Sequence, residues 1–195
     1  MKRAKVYNIL LYIILISIII VIALLIIKYT RNQINEKDLK LALNNIYNTQ
    51  LRQENVTQEI EAEYKGNKII GIIKIPKINI EYPILDSTSN ETMKISVTKF
   101  WGKGVHSIGN LCISGHNNKD GTMFGKIKEL ELEDIIEMTN MKKVTKQYVI
   151  YAKYIIDSNN ISIINTDEIG TREVTLITCT NGNKNRLIIK AREIK

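Results

Sequence analysis

From Val6 to Ile27 the chain runs for 22 residues without a charge, and only Asn8 and Ser17 interrupt it as clearly polar residues. A helix of that length, at about 1.5 Å per residue, crosses a hydrocarbon core of about 30 Å. A cleaved leader is the competing reading, because Lys2, Arg3 and Lys5 form a basic start. Leaders carry apolar cores of about 7–15 residues closed by a small-residue cleavage pattern. The run here is longer, and no such pattern precedes Lys28. The expectation is a retained single-pass helix over residues 6–27. Basic residues ahead of it favour a cytoplasmic N-terminus, residues 1–5, and put everything after Lys28 on the extracellular side of the cell membrane.

The charge balance follows from this placement. Of the net +8, five charges come from Lys2, Arg3, Lys5, Lys28 and Arg31, with no acid among them, which leaves +3 for the rest of the chain. The excess is membrane-flanking charge, and no nucleic-acid-binding motif accompanies it, so nucleic acid is not an expected partner. Lys142, Lys143, Lys146, Lys184 and Lys190 are interleaved with strand-forming residues and read as a solvated face.

From Thr30 to about Tyr64 the sequence is polar, lacks Gly and Pro, and spaces Ile34, Leu39, Leu43, Ile46 and Leu51 as a weak apolar stripe. This spacing predicts an extracytoplasmic helical stalk over residues 28–64, acting as a spacer or as a coiled-coil or partner-binding helix. Residues 65–195 read as one β-rich domain. Lys68–Ile75 is β-branched and bounded by Pro76, and Ile78–Leu85 alternates around Pro83, which suits an edge or a bend. Ser89-Asn90-Glu91-Thr92 has the chemistry of a helix start ahead of Met93, Ile95 and Val97, so a short helix is expected there. Further strands are expected at Asn110–Ser114, Asp134–Met138, Gln147–Ile156, Glu173–Cys179 and Leu187–Ile194. Some seven strands with few helices point to a closed or nearly closed, chiefly antiparallel barrel.

Cysteine and histidine are scarce, two of each, so candidate chemistry is quickly enumerated. Cys179 ends the run Val174-Thr175-Leu176-Ile177-Thr178-Cys179, Ser114-Gly115-His116 ends another, and Arg186 opens a third. A thiol, an imidazole and a guanidinium at three strand ends are the parts of a cysteine acyl-transfer site if the fold unites them. Other readings stay open. Cys112, His116, Cys179 and His106 could form a zinc site, although no Cys-x-x-Cys pair exists. Cys112 could pair with Cys179 in a disulfide outside the cell. Cys112 within Leu-Cys-Ile reads as a small core hydrophobe, His106 as a surface histidine, and His116 could merely cap the turn ahead of Asp120-Gly121.

The run Gly109-Asn110-Leu111-Cys112-Ile113-Ser114-Gly115-His116 resembles the strand that carries the catalytic histidine in sortases, the membrane-anchored cysteine transpeptidases of Gram-positive bacteria. Thr175-Leu176-Ile177-Thr178-Cys179 is similar to their T-L-x-T-C signature, and Arg186-Leu187-Ile188-Ile189 to the strand that follows it. The order His, Cys, Arg, the upstream Ile75-Pro76-Lys77-Ile78 and the N-terminal anchor agree, and the resemblance covers about Ile69 to Ile194. It implies a mostly β fold, an eight-stranded barrel with short helices behind a transmembrane helix and a helical stalk. It also implies a two-step reaction. Cys179 attacks the carbonyl of a Thr-Gly-like bond in an LPXTG-like sorting signal, and an amine then takes over the thioacyl group. His116 serves as acid and base, and Arg186 holds the substrate carbonyl or oxyanion with the Thr180 backbone N–H as a second donor.

By the same resemblance the donors are surface proteins or pilins bearing a C-terminal sorting signal, and the acceptor is a peptidoglycan cross-bridge, its precursor or a pilin lysine. The groove would lie between the loop after His116 and the segment from about Asn159 to Arg172, with Asn117, Thr178, Thr180, Ile161 and Ile163 as substrate contacts and Ile164 beside them. The short Ile156-to-Arg172 segment, without a long helix, argues against class B, while Gly115-His116-Asn117 through Phe124 resembles class B and related patterns more than class A. The subclass stays open, with a class A- or D-like architecture favoured. No cofactor is expected. Glu129, Glu131, Glu133 and Asp134 read as a solvated acidic patch rather than a calcium site. Two other functions remain: a hydrolytic cysteine protease using the same site, and a non-enzymatic wall-binding scaffold in which Cys179 is structural.

Overall fold

The computed structural model describes residues 2–52, 61–165 and 170–194. Its first element is one uninterrupted helix, α1 (Lys2–Arg52), which carries the apolar run and is long and apolar enough to cross a membrane. The chain divides into two compact units, Met1–Leu41 and Ala42–Lys195. Within the second unit the end of α1 belongs to the packed structure. Leu43 and Ile46 are buried, and the Tyr47 hydroxyl donates to Glu81 Oε1 at 2.5 Å. Burial, then this carboxylate, pushes the Tyr47 phenol well above its usual range. The helix read as a spacer therefore has, from Ala42 on, a face committed to the barrel. Residues 53–60 of the expected stalk lie outside the described residues.

Nine strands follow: β1 (Glu63–Tyr64), β2 (Asn67–Ile75), β3 (Ile80–Leu85), β4 (Val97–Trp101), β5 (Gly109–Ser114), β6 (Ile135–Asn140), β7 (Thr145–Asp157), β8 (Arg172–Thr180) and β9 (Asn185–Glu193). The two-residue β1 only extends a hairpin with β2. The others run in the order β2-β3-β4-β5-β8-β9-β7-β6, and β6 pairs back onto β2, so eight strands close a barrel with no free edge. Pairing is antiparallel except at β3–β4 and β5–β8, which are parallel. The expectation of an eight-stranded, mostly β barrel holds, with two parallel joints in it. Pro83 is accommodated because it pairs with Ile72 on one side while the β4 ladder begins only at Ile84.

Seven strands fall where the sequence puts them, and β4 does not. The short helix expected through Met93, Ile95 and Val97 is only a 3-10 turn, Thr92–Lys94, which ends before Val97. The helix-start chemistry is real but local. The Ser89 hydroxyl accepts from the Glu91 and Thr92 amides at 3.1 Å each and stops at that single turn. Val97-Thr98-Lys99-Phe100-Trp101 then does what β-branched and aromatic residues favour and pairs with β5.

Ile73, Ile75, Ile84, Ile113, Phe124, Ile136, Ile150, Leu176 and Ile189 are fully buried, each stabilising the fold by about 1.5–3 kcal/mol relative to exposure. A smaller core of Cys112, Ile163, Ile177 and Ile188, with Ile156 and Ile164 against it, forms beneath the β7–β8 connection. Cys112 is the packing residue expected, its thiol pushed up to about 12 by burial. Both cysteines are free, so the disulfide reading falls. The same covering segment corrects another expectation: Lys190 is buried rather than solvated, its ammonium reaching toward Asn165 O at 3.4 Å. The acids near residue 131 form the solvated patch expected, with Glu129, Glu131 and Glu133 exposed and Lys77 bridging Glu131 and Asp134 at 2.9 Å each.

His106 is not a surface histidine either. Its ring is half-buried and stacks on Tyr148; Nε2 lies 2.9 Å from Val144 O and Nδ1 2.9 Å from the Tyr148 hydroxyl. The carbonyl leaves Nε2 as donor, so neutral Nδ1 accepts from the phenol. Burial holds the imidazole below its usual pKa, partly offset by the Val144 carbonyl, with Lys146 and Arg172 adding positive charge nearby and Glu193 opposing them. The unfolded chain therefore binds a proton at higher pH than the folded one, and stability falls as pH drops below about 6.5, the ordinary histidine value. Thermal unfolding from pH 7.5 to 5.5 is expected to show a declining Tm, with much of the decline removed in His106→Gln. An equal slope in both proteins would refute this.

Candidate active site

The parallel pairing of β5 with β8 builds the site, because parallel strands end on the same side of a barrel. The ladder runs to Ser114 opposite Ile177 and continues with the Gly115 amide donating to Ile177 O at 3.1 Å. Two residues further along each segment stand His116, just past the end of β5, and Cys179, the penultimate residue of β8. Across the β8–β9 hairpin, Cys179 lies directly opposite Arg186, a pairing that sets Cβ atoms about 4.5–5.5 Å apart on one face. All three side chains line one cleft of about 350 Å³.

Local bonds hold these ends together. The Thr178 hydroxyl donates to Gly115 O at 2.7 Å, Asn117 Nδ2 to Cys179 O at 2.8 Å, and the Phe124 amide to His116 O at 2.9 Å. The loop between is closed by Asp120, which accepts from the Thr122 amide and hydroxyl at 3.0 and 2.7 Å, and by Tyr82, whose hydroxyl accepts from the Met123 amide at 3.0 Å. Gly115 must be glycine here, since a Cβ would sit 2.7 Å from the Phe124 ring. The hairpin turn is as constrained: Asn181, Gly182 and Asn183 all take positive φ, which Asn and Gly tolerate best. It leaves four residues between strands, and Arg186 Nη1 donates to Asn183 O and Asn185 O at 2.9 and 3.0 Å.

The two sides of Cys179 differ. On one, the cleft is apolar, with Met93, Phe100, Ile161, Ile163 and Ile177 around Ser114 and Thr178. On the other, a more open depression is lined by Asn117, Asn118, Asn181, Asn183, Thr180, Lys119 and Lys128. The residues expected to contact substrate thus divide. Ile161 stands 69% exposed at the apolar cleft, whereas Ile163 is 5% exposed and forms its floor as core. Thr178 lines the cleft with its hydroxyl committed to Gly115, and Asn117 and Thr180 face the polar side. Met93, Phe100, Ser114 and Ile177 were not foreseen at the cleft. The i, i+2 spacing of Ser114 and Ile177 from His116 and Cys179 was the available signal, as it puts them on the same strand face. Among the described residues, no group of three or more His, Cys, Asp or Glu is placed to hold a metal ion, and of the four candidate zinc ligands His116 and Cys179 share the cleft while His106 is bonded to Tyr148 and Cys112 is buried in the core.

A closed eight-stranded barrel that presents cysteine, histidine and arginine side by side at one rim defines the class of protein. The sortase-domain family model matches residues 73–194, and the chain belongs to the sortase family. It is 24% identical to sortase A of Bacillus anthracis over 138 residues, which are 70% of this chain and 64% of that protein. Among solved structures, the sortase D5 transpeptidase of Clostridium perfringens superposes with a TM-score of 0.63 at 23% identity, covering 83% of this chain and 98% of that one. Sortase A of Corynebacterium diphtheriae gives 0.61 at 21% identity, covering 83% and 84%, and sortase C-1 of Actinomyces oris 0.59 at 23%, covering 65% and 74%. Sortases of classes A, C and D share this fold, and the connection between β7 and β8 holds only one described 3-10 turn, Ser162–Ile164.

Proposed function

We propose that the protein is a single-pass membrane transpeptidase with its barrel outside the cell, joining surface proteins or pilins to an amine through a thioacyl link on Cys179. The observation that carries this reading is the shared cleft of Cys179, His116 and Arg186. The Cys179 sulfur attacks the carbonyl carbon of an LPXTG-like peptide at the bond after threonine, and His116 takes up the thiol proton and gives it to the departing amine. Arg186, whose Nη1 is already anchored on the hairpin carbonyls, directs its remaining N–H groups at the developing oxyanion, where the Thr180 amide can assist. The incoming amine loses its proton to His116 as it displaces sulfur, which leaves a new amide and a free thiol. The acyl half must stay bound while one amine replaces another, which suits the apolar cleft; departing and entering amines are left the open side, where asparagine carbonyl oxygens can accept from them.

The test is mass analysis of products when full-length protein in detergent micelles meets a library of Leu-Pro-x-Thr-Gly peptides and single-residue variants, with and without glycine oligomers, diaminopimelate and lysine as acceptors. Transfer products are expected whenever an acceptor is present. Free acid as the main product in excess acceptor would make the protein a hydrolase, and no acylation of Cys179 by any peptide would leave the scaffold reading.

A further inference from the structure

The apolar cleft does not end at Ile163. Ile164, the next residue of the same turn, faces a second depression of about 650 Å³, and Phe100 lines both. Its walls are Phe100, Trp101, Ile108 and Ile164, with Asn110 at the base and Lys103 at the mouth. Phe100, Trp101 and Ile108 are 49%, 54% and 61% exposed, a contiguous apolar patch of the kind that marks a binding surface. The base provides little polar readout. Asn110 Nδ2 donates to Ile163 O at 2.7 Å and to Asn165 O at 3.2 Å, and its Oδ1 accepts from the Thr175 hydroxyl at 2.9 Å. Lys99 is engaged by Asp86 at 2.5 Å, whereas Lys103 stands exposed.

Continuity and chemistry decide the occupant. The depression prolongs the side of Cys179 that suits the acyl half, along one face of β5. Asn110 lies four residues before Ser114 on that strand, which is about 13 Å at about 3.3 Å per residue. An extended peptide lying in the cleft reaches Asn110 with residues about four positions further from the cleavage point.

We propose that this second depression binds the stretch of substrate polypeptide preceding the sorting motif, as an extended segment with an aromatic or apolar side chain against Trp101 and Ile108 and an acidic residue at Lys103. The inference rests on the transpeptidase reading and adds a determinant outside the motif itself.

Trp101 is the only tryptophan of the chain, so its emission reports on this depression directly. Full-length protein in micelles is given the Leu-Pro-x-Thr-Gly peptide bare, extended upstream by about six residues that include Phe and Glu, or extended equally with Gly and Ser; about four residues span the distance, and about six cover the depression beyond it. The Phe/Glu extension is expected to lower KM about tenfold, the scale of one well-placed aromatic contact, and to shift Trp101 emission to the blue. Trp101→Ala, and independently Ile108→Ser, return the KM of that peptide to the bare-peptide value, and Lys103→Glu removes the preference for Glu. Turnover of all three peptides with one KM and an unmoved emission overturns this inference while the transpeptidase reading stands. No turnover of any peptide overturns the reading beneath it.

Discussion

Cys179→Ala is expected to abolish peptide cleavage and transfer, a loss of about 10⁴-fold or more, because no other group in the cleft can form the thioacyl bond. Cys112→Ala is the matched control. Its thiol is buried and pushed up to about 12, with Sγ against Ile163 O at 3.8 Å, so it has neither access nor thiolate character. That variant loses some packing beneath the cleft and keeps its activity. Intact-mass detection of the peptide thioester on wild-type protein, absent in Cys179→Ala and present in Cys112→Ala, checks both. Transfer that survives in Cys179→Ala would end the transpeptidase reading.

Arg186→Ala is expected to lower kcat about 10²–10³-fold with a smaller change in KM, the cost of removing a donor aimed at an oxyanion. On the proposed mechanism the guanidinium has two tasks. Nη1 ties down the hairpin through Asn183 O and Asn185 O, and the residue lines the cleft. Arg186→Lys keeps the charge and loses this fork, so it recovers only part of the rate. A purely structural role predicts that Tm falls and the residual folded protein keeps its kcat. Unchanged kcat in folded Arg186→Ala would exclude Arg186 from the chemistry.

Much of this architecture was legible because local chemistry and tertiary context agree. The strands around Ile73, Leu176 and Ile189 are β-branched runs buried on both faces, and seven of the eight barrel strands could be read from them. β4 was lost because Ser89 and Thr92 cap a turn as they would cap a helix, and nothing local says that the helix stops after Lys94. His106 and Lys190 were misread for one shared reason. Each looks solvent-facing by composition, yet Tyr148 lies 42 residues from His106 in sequence, and the cover over Lys190 comes from the β7–β8 connection.

The candidate site divides in the same way. Residue type and order, with Gly-His at one strand end, Thr-Cys at another and Arg opening a third, could be read in one dimension, as could a membrane-length apolar run, since these depend on covalent order and side-chain chemistry alone. That Cys179 faces Arg186 follows from the β8–β9 hairpin, whereas the meeting of His116 with Cys179, and the placing of Phe100 between the cleft and the depression at Trp101, were decided only by the parallel β5–β8 joint and the closure of β6 onto β2. The β5–β8 and β6–β2 pairings bring together residues 63 to 69 positions apart, and no local propensity encodes such a contact; it arises when the chain buries both faces of its strands at once.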